Sequence, residues 1–413
     1  MVTITTRPLH EEEFHAAVGV ACAAFGEQAT REDEEAYRQV FELERSLCAF
    51  EADTMVGMSA VLTLELTLPG GVAAPAGGLT WAAVLPTHRR RGVLRQLMAA
   101  QLADMTRRGE LVSALLASEG NIYGRFGYGP ATSALSFSVE RARAAFARPV
   151  CARGRIVLLT GQEAAAELPT VYERLQRVQP GAVSRPPGWW KQYLHDPEAE
   201  REGGGEMLHA KHVTASGEPD GYVTYRIKQE WQGMASRSTL LVVELLAADP
   251  EVYAALWDFV LNTDLIHTIS FSRGAVDEPL RWLLADPRAF AVRALTDYLW
   301  VRLLDIPGAL AARAYSAADE MVLEVNETFP APITTRVALR VGRARSQDVE
   351  CAPTTEPADL ALELSSLGAT YLGGVSFATL AAAGRVRELR AGSVERADAM
   401  FSTGAAPYCV TMF

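Results

Sequence analysis

Residues 84–95 read VLPTHRRRGVLR, running from Val84 to Arg95. A strand-like apolar end is followed by three consecutive arginines and a glycine, and an apolar-periodic stretch begins at once. From Val93 to Arg108 the residues Leu94, Leu97, Met98, Leu102 and Met105 fall on one helical stripe, and Arg107, Arg108 and Gly109 make a helix ending. The segment therefore predicts strand, cationic turn and helix N-terminus in succession. Backbone N–H groups converge at such a terminus and the helix dipole adds positive potential. Arginines reinforce it with charge-assisted hydrogen bonds. The corner suits a pyrophosphate.

The surrounding composition makes that corner conspicuous. The chain has 413 residues and a formal net charge of −11, so polyanions are repelled overall and nucleic acid is excluded as the main partner. Cationic partners are favoured. The length suits two or three domains. No run reaches the ~18 apolar residues of a membrane span, and the start, MVTITTRPLHEEEF, lacks the basic and apolar regions of a secretory signal. A cytoplasmic protein is expected. Cys22, Cys48, Cys151, Cys351 and Cys409 are scattered and odd in number, which reads as reduced core thiols. His209 and His212 sit on a strand pattern that would turn them to opposite faces, so no metal site is expected.

Alternating helix and strand patterns predict a mixed α/β fold. Helices are expected in 10–25 and 31–43, and strands in 47–53, 54–68, 79–86, 111–117 and 131–140, with a turn through PGGVAAPAGG (69–78). The strand, helix, strand order of 79–117 recurs at 238–271. There the junction LAADPEV carries Asp249 and Pro250 in place of the arginines and Gly92. The second copy is expected to be structurally similar and chemically blank. From about 303 come strand patterns EMVLEVNET, TTRVALRVG and DVECAPTT and short helices, LALELSSLGATYL among them. The last residues, PYCVTMF, alternate as a strand that reaches the terminus. Walker A and GxGxxG loops are absent, since GRFGYG (124–129) has its glycines in reverse order and follows no strand.

Arg89, Arg90, Arg91, Gly92, Val93 and Leu94 resemble the acetyl-coenzyme A loop of the GNAT acetyltransferases, Gln/Arg-x-x-Gly-x-Gly/Ala, with Leu94 departing from the final small residue. VLPTHRRRGVL, ASEGNIYGRFGYGPAT and the terminal Phe together resemble the enhanced intracellular survival (Eis) subfamily. The resemblance covers the whole chain and implies tandem GNAT folds followed by a sterol-carrier-protein-like α+β domain. The domains would be 1–145, catalytic; 146–302, GNAT-like without the cofactor loop; and 303–413. It implies acetyl-CoA as cosubstrate and transfer to primary amines of polyamine-like substrates such as aminoglycosides, at several positions. Protein or peptide lysines are the alternative acceptor within the same chemistry. A lipid-binding protein working through its C-terminal domain is the alternative outside it. The family's assemblies are hexameric, so a homo-oligomer is expected.

By the same resemblance Ala82, Ala83 and Val84 would contact the pantetheine arm, Arg89, Arg90, Arg91, Gly92, Val93, Leu94 and Arg95 would surround the pyrophosphate, and Ser118 and Glu119 would lie beside the acyl end. Tyr123 would protonate the departing thiolate, with Tyr128 as local competitor. The α-carboxylate of Phe413 would be the base. Its ordinary pKa of roughly 3.3–3.7 is low for that task, so desolvation beside the Phe413 ring or an intervening water is required. Met412 stands where relatives carry an acidic residue that attracts cationic substrates. Glu27 and Asp33, between the first two helices, are further candidate acceptor contacts.

Overall fold

The computed structural model describes residues 4–150, 154–201 and 203–413. Two compact units emerge, neither continuous in sequence. One comprises the chain up to Thr132 with Gln179–Gly188 and Asp297–Phe413, and the other Ser133–Val178 with Trp189–Thr296.

The first unit opens with β1 (Ile4–Pro8), α1 (Phe14–Phe25) and α2 (Arg31–Arg38). Then come β2 (Leu47–Glu51), β3 (Thr54–Thr67), β4 (Ala73–Val84), α3 (Val93–Arg107), β5 (Val112–Leu116) and the short β6 (Gly129–Pro130). The sheet order is β1-β2-β3-β4-β5, then the strand Leu299–Leu303, then β6. All neighbours are antiparallel except β4 and β5, which α3 connects as a crossover. Helix α3 buries Val93, Leu97, Met98, Gln101, Leu102 and Met105. Gln101 is tolerated on that face because its amide donates to the carbonyls of Arg45 and Ser59, both at 3.1 Å.

The Gly/Pro/Ala stretch is a correction. The turn is confined to 69–72, closed by Leu68 N–H to the Val72 carbonyl at 2.8 Å and Gly71 N–H to the Leu68 carbonyl at 2.9 Å, and β4 already begins at Ala73. Low strand propensity misleads here because small residues are what the packing demands. A Cβ at Gly77 would come within 2.2 Å of Met105 Sδ on α3.

Residues 306–401 form a five-stranded sheet, ordered Val349–Pro353, Ile333–Val341, Asp319–Glu327, Leu360–Glu363, Val386–Glu388. Helices Ile306–Ala312, Leu364–Thr370, Phe377–Ala382 and Ser393–Phe401 accompany it. LALELSSLGATYL is not one helix. Leu360, Ala361 and Leu362 are buried between two strands and only the remainder coils. One apolar cluster runs from Leu62 and Leu64 of β3 through Val301 to Leu323, Leu339 and Phe401, so this domain and the N-terminal sheet share a core.

The tail is the other correction. Residues 407–413 form no strand. Pro407 to Thr411 are all buried, so the alternation read from PYCVTMF does not correspond to two faces. Single contacts hold the segment instead. Tyr408 N–H donates to the Pro180 carbonyl at 2.8 Å, Arg185 Nε to Thr411 Oγ1 at 2.8 Å, and Tyr298 OH to the Val410 carbonyl at 3.4 Å.

The second unit has a seven-stranded sheet in the order Phe290–Asp297, Ser133–Glu140, Ile266–Gly274, Ser238–Ala247, Pro219–Lys228, Leu208–Val213, Arg155–Leu159. A parallel step joins Ser238–Ala247 to Ile266–Gly274 through helix Pro250–Leu261, repeating the plan of β4, α3 and β5. One strand crosses each expected junction: Ser133–Glu140 follows β6 yet pairs in the second sheet, and Leu299–Leu303 pairs in the first.

Cys22, Cys48 and Cys351 are free thiols, Cys409 Sγ lies 3.6 Å from the Thr411 carbonyl, and Cys151 lies outside the described residues. His209 and His212 are both buried, with Nδ1 against Thr224 Oγ1 at 3.1 Å and Asp220 Oδ1 at 2.6 Å. No described helix is long and apolar enough to cross a membrane.

Candidate active site

Strands β4 and β5 pair only over Ala76–Gly78 and Val112–Ala114. Beyond Gly78 they diverge. Leu79 to Val84 stay on β3, while Leu115 and Leu116 pair with Trp300 and Leu299 on the other side. Among the described residues the inner edge of β4 from Leu79 to Val84 thus carries no ladder partner, although backbone N–H and C=O groups require partners. A bulge at Trp81, with φ of +50°, turns this stretch further. Ala82, Ala83 and Val84 form the upper part of that open edge, which suits an amide-bearing linker.

At the mouth of the fork stands α3. Its N-cap, Gly92, adopts φ of +86° and has no side chain to cap the helix. The first intrahelical bond runs from Gln96 N–H to the Gly92 carbonyl at 3.0 Å, leaving the N–H groups of Val93, Leu94 and Arg95 directed outward. The arginines around them differ in commitment. Arg89 donates to the Ala24 carbonyl at 2.7 Å. Arg91 pairs with Glu51, which His88 Nε2 also contacts at 3.0 Å. The hydrogen bond from Arg91, and after it the one with His88, hold the Glu51 carboxyl below its ordinary pKa. Arg90, exposed at φ of +62°, has no hydrogen bond or ion pair among the described residues. Arg95 donates to the Pro330 carbonyl at 3.1 Å and lies over the Phe329 ring at 4.8 Å.

The corresponding place in the second unit supplies a contrast. Helix Pro250–Leu261 begins at Asp249, whose carboxylate accepts from Glu251 N–H at 2.8 Å and Val252 N–H at 2.9 Å. The terminus is occupied by the chain's own anion. Its strand pairing ends at Val242 and Phe271, and Arg273 donates across to the Val243 carbonyl at 3.2 Å.

Across the fork from β4, the loop after β5 carries Ser118 and Glu119, both exposed. Tyr123 follows as the cap of a 3₁₀ turn, Gly124–Phe126. It is 6% exposed. Burial raises its phenol pKa, the Glu119 charge adds to that, and a hydrogen bond with Ser118 opposes it. Tyr128 is fully buried, its hydroxyl bonded to Ser113 Oγ at 2.7 Å, and burial raises its pKa further. Of the two tyrosines, Tyr123 is the one next to the loop that borders the fork.

The chain end completes the arrangement. A Cβ at Gly78, the last paired residue of β4 toward β5, would meet Leu64 Cδ1 at 2.4 Å and Phe413 Cε2 at 3.1 Å. The half-buried Phe413 ring therefore sits at the vertex of the fork, while Met412 is 62% exposed.

Of the two acidic candidates near α1 and α2, Asp33 is committed elsewhere. It accepts from Thr30 N–H at 2.8 Å and Thr30 Oγ1 at 2.7 Å in a capping box. Glu27 follows the α1 C-cap, exposed. Residue patterns alone missed Arg302, buried beneath the Tyr123 turn. Its signal was a lone cation in the apolar run LWVRLL (299–304), because a buried arginine is paired almost without exception.

Residues 5–131 and 181–303 match acetyltransferase (GNAT) domain families, and residues 306–410 match a sterol carrier protein domain. An uncharacterized N-acetyltransferase of Streptomyces avermitilis is 36% identical over 98% of this chain and 99% of its own. N-acetyltransferase Eis of Mycobacterium tuberculosis is 33% identical over 97% of this chain and 98% of its own. The crystal structure of Eis1 from Mycobacterium abscessus aligns at a TM-score of 0.88 with 36% identity, covering 99% of this chain and 100% of that one.

Proposed function

The chain belongs to the Eis family of GNAT N-acetyltransferases, and we propose that it moves acetyl from acetyl-CoA to primary amines of small polycations of the aminoglycoside kind, at several positions of one acceptor. The observation that carries this reading is the meeting of three features of one sheet: an open β4 edge, an uncapped α3 terminus, and the chain's own end at the fork vertex. The first two fit a long thiol carrier with a diphosphate. The third brings an anionic group that attracts an ammonium.

In this reading Ala82, Ala83 and Val84 hold the pantetheine amides through main-chain groups. Arg90, Arg91 and Arg95 hold the diphosphate with the α3 N–H groups, Arg91 exchanging Glu51 for phosphate. Gly92 keeps that terminus open and Arg89 secures the loop to α1. The Phe413 carboxylate takes the proton of the incoming ammonium, and Tyr123 gives one to the departing thiolate. Burial keeps Tyr123 protonated through neutral pH. The same low-polarity surroundings raise the proton affinity of the thiolate, so the transfer stays near balance.

The net charge of −11 supports cationic acceptors. The rival reading, a lipid carrier, meets Arg313. Its guanidinium is wholly buried inside the third domain, donating to the carbonyls of Tyr371, Phe401 and Ala314 and lying 4.7 Å from the rings of Tyr315 and Phe401. A charge so placed fills the interior instead of lining an apolar tunnel. A hexamer is proposed on the family resemblance, and a cytoplasmic address is proposed beside it.

Thiol release from acetyl-CoA, measured with aminoglycosides, linear polyamines and lysine peptides side by side, tests the reading. Turnover with the polyamine compounds is expected. Turnover confined to lysine peptides, or none with any amine, would overturn the acceptor assignment.

A further inference from the structure

Arg302 lies on the strand Leu299–Leu303, 5% exposed, and contacts two parts of the molecule far apart in sequence. Nη1 donates to the Phe126 carbonyl at 2.5 Å. Nη2 donates to Glu327 Oε2 at 2.9 Å and to the Phe329 carbonyl at 3.1 Å. Phe126 closes the turn that Tyr123 opens, its N–H donating to the Tyr123 carbonyl at 2.9 Å. The next residue, Gly127, has φ of +83°, and a Cβ there would come within 2.2 Å of Arg302 Nη1. The turn is shaped to admit the guanidinium.

The third domain's segment 327–330 reaches the phosphate corner as well. Phe329 packs edge-on against Phe126 at 4.8 Å while its ring carries the Arg95 guanidinium, and the Pro330 carbonyl accepts from Arg95. Arg95 has five N–H donors, and the segment engages one of them. A single four-residue stretch thus contacts both the helix that bears the phosphate-binding arginine and the turn that bears the tyrosine.

We propose that Arg302 is a positioning residue for acetyl transfer: through the Phe126 carbonyl it fixes the turn carrying Tyr123, and the segment Glu327–Pro330 registers that turn against Arg95 and the phosphate corner. This rests on the reading of Tyr123 as the acid. The third domain then does more than deliver the chain end. It sets the spacing between the diphosphate anchor and the proton donor, which a thioester carrier of fixed length must match at both ends.

The test is a double-mutant cycle on the full-length protein, read as kcat and as KM for acetyl-CoA. Arg302→Lys keeps the charge and loses the fork of donors, and it is expected to lower kcat at least tenfold while KM changes less than about threefold. Adding Arg302→Lys to Tyr123→Phe should cost no more than a further threefold, because Arg302 acts only through that tyrosine's proton transfer. Phe329→Leu, which removes the seat of Arg95, should raise KM several-fold and lower kcat together. Multiplying losses in the Arg302→Lys/Tyr123→Phe protein would overturn the proposal, leaving Arg302 a structural residue and Tyr123 the acid. Wild-type turnover in Tyr123→Phe alone would overturn the acid assignment and the proposal with it. Should Arg302→Lys fail to fold, Glu327→Gln carries the same cycle, since it keeps the size and an oxygen acceptor while withdrawing the charge.

Discussion

Phe413, the last residue of the chain, packs its ring against Gly78, where a Cβ would stand 3.1 Å from Cε2. Gly78 pairs with Ala114 at the final rung between β4 and β5, so the terminus is fixed at the point where the cofactor fork opens. Buried groups of the tail do the fixing: Tyr408 through its N–H, Val410 through its carbonyl and Thr411 through its hydroxyl are each joined by a hydrogen bond to another part of the same unit.

A terminus anchored upstream of its last residue can be lengthened without unfolding the protein. A three-residue extension after Phe413 is therefore expected to leave the melting temperature and acetyl-CoA binding unchanged, yet to lower kcat by a factor of a hundred or more, because the carboxylate moves away from the vertex. Calorimetric titration with coenzyme A beside the thiol-release assay checks this. Full turnover in the extended protein would remove the tail carboxylate from the mechanism.

Gly78 offers an independent approach to the same contact. Gly78→Ala places a methyl 2.4 Å from Leu64 Cδ1 as well as against Phe413, and both flexible groups must shift. Turnover is expected to fall about tenfold or more with little change in acetyl-CoA affinity, since Gly78 faces the tail and not the phosphate corner. Equal loss of cofactor binding, measured by the same titration, would contradict that division.

Gly92 and Asp249 occupy equivalent places in the two units, one leaving its helix open and the other closing it. Gly92→Asp, tolerable at positive φ, puts a carboxylate where the phosphate is proposed to bind. Acetyl-CoA affinity should fall about a hundredfold, which is about 2.7 kcal/mol. Asp249→Ala should cost about 1 kcal/mol of stability as a lost cap and leave turnover alone. Denaturant unfolding and coenzyme A titration of both variants decide the matter.

Much of this was legible because local chemistry and fold agreed. The apolar stripe of α3, the arginine corner and the contrast with LAADPEV are all set within a dozen residues, and they lead directly to one open and one closed helix terminus. What was illegible depended on partners distant in sequence. The strand character of Ala73–Gly78 comes from the closeness of Met105 and Leu64, which only the packed sheet reveals. Asp33 looked available because a capping box and an acceptor loop use the same residue types. The tail showed period-two alternation, yet Pro180, Arg185 and Tyr298 surround it instead of a neighbouring strand. Arg302 was hidden for the same reason, its partners at 126, 327 and 329 lying on both sides of it in sequence.

Glu278, in the second unit, gives a prediction in pH. It is 8% exposed, accepts backbone N–H bonds from Leu280 and Ala275, and has Oε1 buried without a partner. Burial pushes its carboxyl up to about 8 against those two opposing bonds. In the unfolded chain the same group releases its proton near 4.3. Between these values the unfolded state binds fewer protons than the folded one, so folding stability falls as pH rises from about 4.3 to about 8 and levels off above. Glu278→Gln, which cannot ionise, removes this dependence. Its stability advantage over the parent protein should be small at pH 5, grow through pH 7 and plateau near pH 9, with an upper bound on the order of 5 kcal/mol. Urea unfolding of both proteins at those three pH values measures the gap, and a gap that stays constant or shrinks with pH would show that Glu278 is ionised in the folded protein.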